Sequence, residues 1–250
     1  MNRGAARRDV FTGARDGHQF LHLVGEGCAI SDVEVHAYCL MNNHFHLLLH
    51  CPGGGLSAFM QRVSSMYTRF RNDRIGADGP IFRGRFRSLA VDSSDYLDFA
   101  GRYIHRNPLD VRPPVALDTF RWSSYRYYVT RAEPPDWLRV DYLRDAHQGS
   151  AGYRTFVEGD RADAPAPVSW AIDTAVAEFD DADTATRQLR RAVGVAMLQR
   201  ATGSTQERLE QWLAFPTDDA RRMALNRSER RLANWSALAA IADRAIDLAA

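Results

Sequence analysis

The stretch from Met41 to Leu49, reading MNNHFHLLL, sets the tightest limit on what this chain folds into. An apolar run with histidine at alternate positions suits an extended strand, where side chains at i and i+2 share a face. His44 and His46 then point one way, while Phe45, Leu47 and Leu49 point the other way into a core. Two imidazoles on one face of an anchored strand can hold a divalent cation. The plainer alternative is a half-buried strand with two incidental histidines. Upstream, Val33–Leu40 alternates and is rich in β-formers, so it reads as a partner strand. Met41-Asn42-Asn43 supplies the turn, because asparagine tolerates the positive φ of tight hairpins.

Around this hairpin the spacing predicts helices over Asp16–Val24 and Ser57–Asn72. The second carries Phe59, Met60, Val63, Met66, Tyr67 and Phe70 on one stripe, with Arg62, Arg69 and Arg71 on other faces. Ile81–Val91 alternates, which predicts a strand with Arg83, Arg85 and Arg87 on one face, about 7 Å apart. Such a strip serves either as an ordinary solvated face or as a groove that tracks phosphates. A further helix is predicted from Ser94 to Arg106, ended by Pro108. Tyr103 and Asn107, four apart, share a face of it, and Tyr96 lies on the same side. His105 falls off that face and reads as facing DNA or solvent. The aromatic run Phe120–Tyr128 is expected to pack over the sheet. His36, Cys39, His50 and Cys51 invite a structural zinc, but simple alternation puts His36 and Cys39 on opposite faces.

Composition narrows the class. No stretch reaches the roughly 18 apolar residues of a membrane span. The N-terminus has no signal-like apolar run, and three cysteines do not suit a secreted disulfide framework. A cytoplasmic protein is expected. The net charge is only +1, yet it is unevenly spread. Residues 1–157 hold 20 Arg against 16 Asp and Glu, whereas residues 158–250 hold 12 against 15, so the basic surface belongs with the histidines. The absence of lysine reads as genome composition rather than phosphate binding. A domain over 1–157, a linker over 158–168 and a helical domain over 169–250 are expected. The last carries Leu189, Val193, Met197 and Leu198 at helical spacing and an alanine-rich Asn234–Leu248.

Four segments together resemble the REP-associated tyrosine transposases, single-tyrosine HUH endonucleases of bacterial insertion sequences. They are Met41–Leu49, Ile81-Phe82-Arg83-Gly84-Arg85-Phe86, Tyr103-Ile104-His105-Arg106-Asn107-Pro108-Leu109 and Trp122-Ser123-Ser124-Tyr125. The resemblance implies an α+β fold: a ferredoxin-like antiparallel sheet with helices on one face, followed by an all-α extension. The family's opening strand precedes the segment that matches Asn2-Arg3-Gly4, so a sheet short of its first strand is expected. It implies Tyr103 as nucleophile, and Mg²⁺ or Mn²⁺ held by His44, His46 and the amide oxygen of Asn107. Arg62, Arg69, Arg83, Arg85 and Arg87 are candidates for DNA contact. The implied partner is single-stranded hairpin DNA of repetitive palindromic type, cut and rejoined through a 5′-phosphotyrosine by a monomer or homodimer. No membrane and no small-molecule substrate are implied. Two alternatives stay open: an inactive, truncated copy that binds hairpin DNA without cutting it, and a metal-dependent repressor or adaptor dominated by its helical tail.

Overall fold

The computed structural model describes residues 1–91, 93–110, 115–159, 171–172, 174–176, 187–198, 201, 204–213, 217, 220–225 and 236–249. They fall into two compact units, one of residues 1–87 with 100–159 and one of residues 88–99 with 160–250.

The first unit is built on three antiparallel strands, β1 (Asn2–Arg3), β2 (Glu34–Met41) and β3 (His44–His50), in the order β1-β3-β2. Met41 lies opposite His44 and Cys39 opposite His46, and Arg3 of β1 lies opposite His44 from the other side. The ladder slips by one residue between Val35 and Ala37, a β-bulge that leaves His36 as the extra residue.

Two helices, α1 (Ala14–Ile30) and α2 (Leu56–Ile75), cover the face of β3 that carries Phe45. Phe20 of α1 meets the wholly buried Phe45 at 4.6 Å between ring centres, and Tyr67 of α2 meets Phe20 at 5.3 Å. Both helices run beyond their predicted ends, and Met66, expected in the apolar stripe of α2, is 42% exposed. A buried ion pair fastens the two together: Asp16, fully buried in α1, accepts from Arg74 at 2.7 Å and from the Thr12 backbone and hydroxyl, with Arg71 at 3.7 Å. Gly17 lies so close to the Trp122 ring that a Cβ would sit 2.4 Å from it, which fixes where the chain leaves β2's outer edge. Leu47 and Leu49, expected in this core, are only half-buried, whereas Leu48 on the histidine face is buried. Both faces of β3 are therefore covered.

Both sheet edges are occupied by irregular chain. Along β2, the Leu40 amide donates to the Trp122 carbonyl (2.8 Å), the Ser124 amide to Tyr38 (3.0 Å) and the Tyr38 amide to Ser124 Oγ (2.9 Å). The Trp-Ser-Ser-Tyr run thus lines the edge instead of packing over the sheet. Along β1, residues 81–91 do not form the predicted strand. Phe82 makes an isolated bridge to Gly4, and the amides of Arg83 and Arg87 donate to Arg3 and Met1. A partner of two residues gives a ladder nothing to propagate along. Asn2–Arg3 itself closes β3 on the side where the opening strand was expected to be absent.

The helix α3 (Ser94–Arg106) contributes its residues from Ala100 onward to this unit and its earlier residues, including the buried Tyr96, to the other. The first unit is completed by α4 (Tyr125–Val129), α5 (Asp141–Ala146) and α6 (Ser150–Glu158).

In the second unit the described elements beyond α3 are α7 (Arg187–Leu198), α8 (Ser204–Leu213) and α9 (Ser236–Ala249), with α7 packing on both others. Val193, Met197 and Leu198 of α7 are buried, as are Leu209, Leu213, Leu238, Ile241, Ala245 and Leu248. The expected linker beyond Gly159, the Leu189 side chain and residues Thr186, Arg200, Asn234 and Trp235 lie outside the described residues.

Candidate active site

The strand period puts His44 and His46 on the face of β3 opposite Phe45, and their rings meet at 5.1 Å between centres. Across from them comes the last turn of α3. The Tyr103 ring stands edge-on to His46, with ring centres 5.4 Å apart and planes at 86°. One turn on, Asn107 donates from Nδ2 to the Tyr103 carbonyl (2.9 Å) and hydrogen-bonds His44 through its side chain. That contact favours protonated His44, whose Nδ1 lies 2.7 Å from Asn43 Oδ1. Pro108 has no amide hydrogen, and the chain passes into a 3-10 turn over Asn107–Asp110. The four residues predicted for catalysis and metal are thereby brought together: Tyr103, His44, His46 and Asn107.

What holds α3 in that orientation lies on its other sides. Arg102 donates to the Gly159 carbonyl (2.8 Å) and Arg106 to the Val157 carbonyl, so two guanidinium groups satisfy the exposed end of α6. Gly101 lets Leu143 approach to 2.8 Å of where a Cβ would stand. His105, expected to face DNA or solvent, is fully buried. Its Nδ1 lies 2.8 Å from the Tyr153 hydroxyl and its Nε2 lies 2.7 Å from Ser124 Oγ. Burial pushes it down to about 3, so it is neutral, with one nitrogen donating and the other accepting. Ser124 is also the residue that grips β2, so the strand edge and the tyrosine helix share one hydrogen-bonded post.

Electrostatics suit the two strand histidines to ligation. Burial lowers His44 to about 4, aided by the charge of Arg3 and opposed by Asn107. Burial likewise pulls His46 far below the usual range, with His44 as the next cause. Both imidazoles are neutral at pH 7 and keep a lone pair for a cation. Arg3, which sequence reasoning missed, reaches this face because it lies opposite His44 in the ladder.

The arginines divide. Arg62 and Arg69 are exposed on α2, which covers the opposite face of the sheet, so the structure does not bring them to the histidines. Arg69 instead lies 3.9 Å from Asp73. Arg83 and Arg85 are exposed on the segment flanking β1, next to Arg3, and Arg87 there is half-buried.

The family model described as "Transposase IS200 like" matches residues 1–107, the part that contains both histidines, the tyrosine and the asparagine. Over that part, the chain is similar to the IS200-like transposases. No curated protein and no solved structure matches it. The similarity points to a transposase-like activity on DNA, and the α+β fold with an antiparallel sheet is as expected. None of the described helices is long and apolar enough to cross a membrane.

Proposed function

We propose that this protein cuts and rejoins single-stranded DNA, with short palindromic hairpins of the REP type as its substrate and Tyr103 as its nucleophile. The observation that carries this reading is the convergence of Tyr103 with His44, His46 and Asn107 on one face of β3. The donor set fits a divalent cation: two neutral imidazoles with the Asn107 side-chain amide beside them. His44, His46 and Asn107 would hold it, and mixed nitrogen and oxygen ligation suits Mn²⁺ better than Mg²⁺. When bound, such a cation draws charge from the scissile phosphate.

The protein's own groups account for the rest. The Tyr103 hydroxyl oxygen attacks phosphorus, its O–P bond forms as the bond to the 3′-oxygen breaks, and the 3′-oxygen leaves as a hydroxyl. A phenol titrates ordinarily near 10, so the proton must leave as the bond forms. The rear contacts of His105, Arg102 and Arg106 fix the helix turn that aims the oxygen. Arg3 adds positive charge where the phosphate arrives, and Arg83 and Arg85 extend that charge along the sheet edge. The covalent ester keeps the bond energy for rejoining, when a 3′-hydroxyl displaces the tyrosine.

Denaturing electrophoresis of labelled hairpin DNA incubated with protein and Mn²⁺ tests this. Wild type should give an upshifted, protease-sensitive band, and Tyr103→Phe, which keeps the ring and its packing, should bind DNA without forming it. Wild type that binds the hairpin and never yields the band would instead make the protein a hairpin binder.

A further inference from the structure

We propose a second metal site, for a Zn²⁺-class cation, formed by Glu34, His36 and His50 at the open end of the β2–β3 hairpin. It does not depend on the function proposed above. Glu34 lies opposite His50 in the ladder, and the bulge between Val35 and Ala37 lets His36 join them. The three ligand atoms lie within 4.8 Å of one another. His50 Nδ1 is 3.2 Å and His36 Nε2 is 3.9 Å from the same carboxylate oxygen of Glu34. The counting that set His36 on the wrong face assumed an unbroken alternation, and the bulge breaks it.

A hydrogen bond joins His50 to Glu34, but it does not take in His36, whose Nε2 is beyond hydrogen-bond distance of the carboxylate. The second ring nitrogen of His36, Nδ1, is buried with no hydrogen-bond partner among the described residues. The His36 ring is held by neighbours, with Tyr142 at 6.0 Å and His50 at 6.1 Å between ring centres. Its backbone carbonyl accepts from the Tyr128 hydroxyl. The competing explanation is a surface charge cluster, since Arg139 also approaches Glu34 at 3.5 Å. Exposed pairs of that kind contribute little, about 0–1 kcal/mol, and do not explain why two imidazoles are gathered on one carboxylate.

The chemistry selects the cation. Two imidazole nitrogens and a carboxylate oxygen make a three-ligand set with a fourth position open to water, a pattern suited to Zn²⁺ rather than to oxygen-seeking Mg²⁺. Zinc bonds of about 2.0–2.2 Å require the ligand atoms to draw together by about an ångström, a rotamer adjustment open to the half-buried Glu34 and the exposed His50. The bound ion would clamp the bulged end of the hairpin.

The test uses the full chain without DNA. Calorimetry with Zn²⁺ alone, and visible absorption with Co²⁺ as its spectroscopic stand-in, should give one equivalent and the intense bands of a four-coordinate site. His50→Ala and Glu34→Gln, both at partly exposed positions, should each weaken binding by more than about tenfold. His44→Ala/His46→Ala should leave it unchanged. Wild-type binding that survives both single substitutions, binding lost only in the His44/His46 variant, or no binding by wild type would each overturn the proposal.

Discussion

The β2–β3 hairpin gathers two histidines at each end, and the two ends use opposite physics. At the turn end, His44 and His46 are largely buried, their oxygen partner is a neutral amide, and Arg3 adds a positive charge nearby. At the open end, His50 is exposed and the oxygen partner is the carboxylate of Glu34. A neutral ligand set beside a cation gains little from a metal until an anion arrives with it. A phosphodiester is such an anion. The carboxylate end carries its own charge and needs no nucleic acid. The difference teaches that histidine count does not define a site; on the proposed reading, the charge of the third ligand and the burial around it would decide when each site fills.

The sharpest way to break this comparison is the same substitution at both ends. His44→Ala/His46→Ala should lower hairpin nicking by about 10²–10³-fold, whereas His36→Ala/His50→Ala should leave it within about twofold, measured in single turnover with Mn²⁺. Equal losses would erase the distinction. Next in size is His105→Ala. It leaves a hole and strips Tyr153 and Ser124 of a partner, so urea unfolding should show a loss of about 2–4 kcal/mol. The exposed His50→Ala should cost under about 0.5 kcal/mol.

The same burial gives a pH dependence. Unfolded His105 takes a proton near its ordinary 6.5, while the folded residue resists down to about 3. The unfolded state therefore binds more protons in that window. Stability should fall as pH drops below about 6.5, by at most about 1.4 kcal/mol per unit for this residue. Denaturation midpoints at successive pH values check it, and His105→Gln should flatten the slope. The smallest effect concerns salt. Arg83→Ala/Arg85→Ala should reduce the slope of log affinity against log salt by about 1.4, and Arg62→Ala/Arg69→Ala should not change it. A change with the second pair would place DNA on the α2 face as well.

Much of the candidate site was legible because it rests on two periods. Alternation set His44 beside His46, and the 3.6-residue turn set Tyr103 beside Asn107. That the two pairs would meet came from the family resemblance, since no local period carries it. What failed to read were the exceptions to period. Residues 81–91 alternate like a strand, but their neighbour β1 spans only Asn2–Arg3. His36 changed sides at a bulge, which no sequence count marks. His105 and Met66 were placed by angle alone, and angle does not tell which neighbour, if any, covers a helix face. Arg3 became visible only through the register that sets it against His44.

The capped edges of the sheet have a consequence for self-association. A bare outer strand is a template: another copy can add its own strand and extend the ladder from molecule to molecule. Here the amides and carbonyls flanking β2 are engaged by Trp122 and Ser124, and those of β1 by Arg83 and Arg87. Both caps are bent, short stretches that cannot propagate a regular ladder, and one carries exposed Arg83 and Arg85, whose like charges repel their counterparts in another copy. Two molecules meeting on one DNA would therefore be joined through side chains or through the nucleic acid, and their sheets would stay separate.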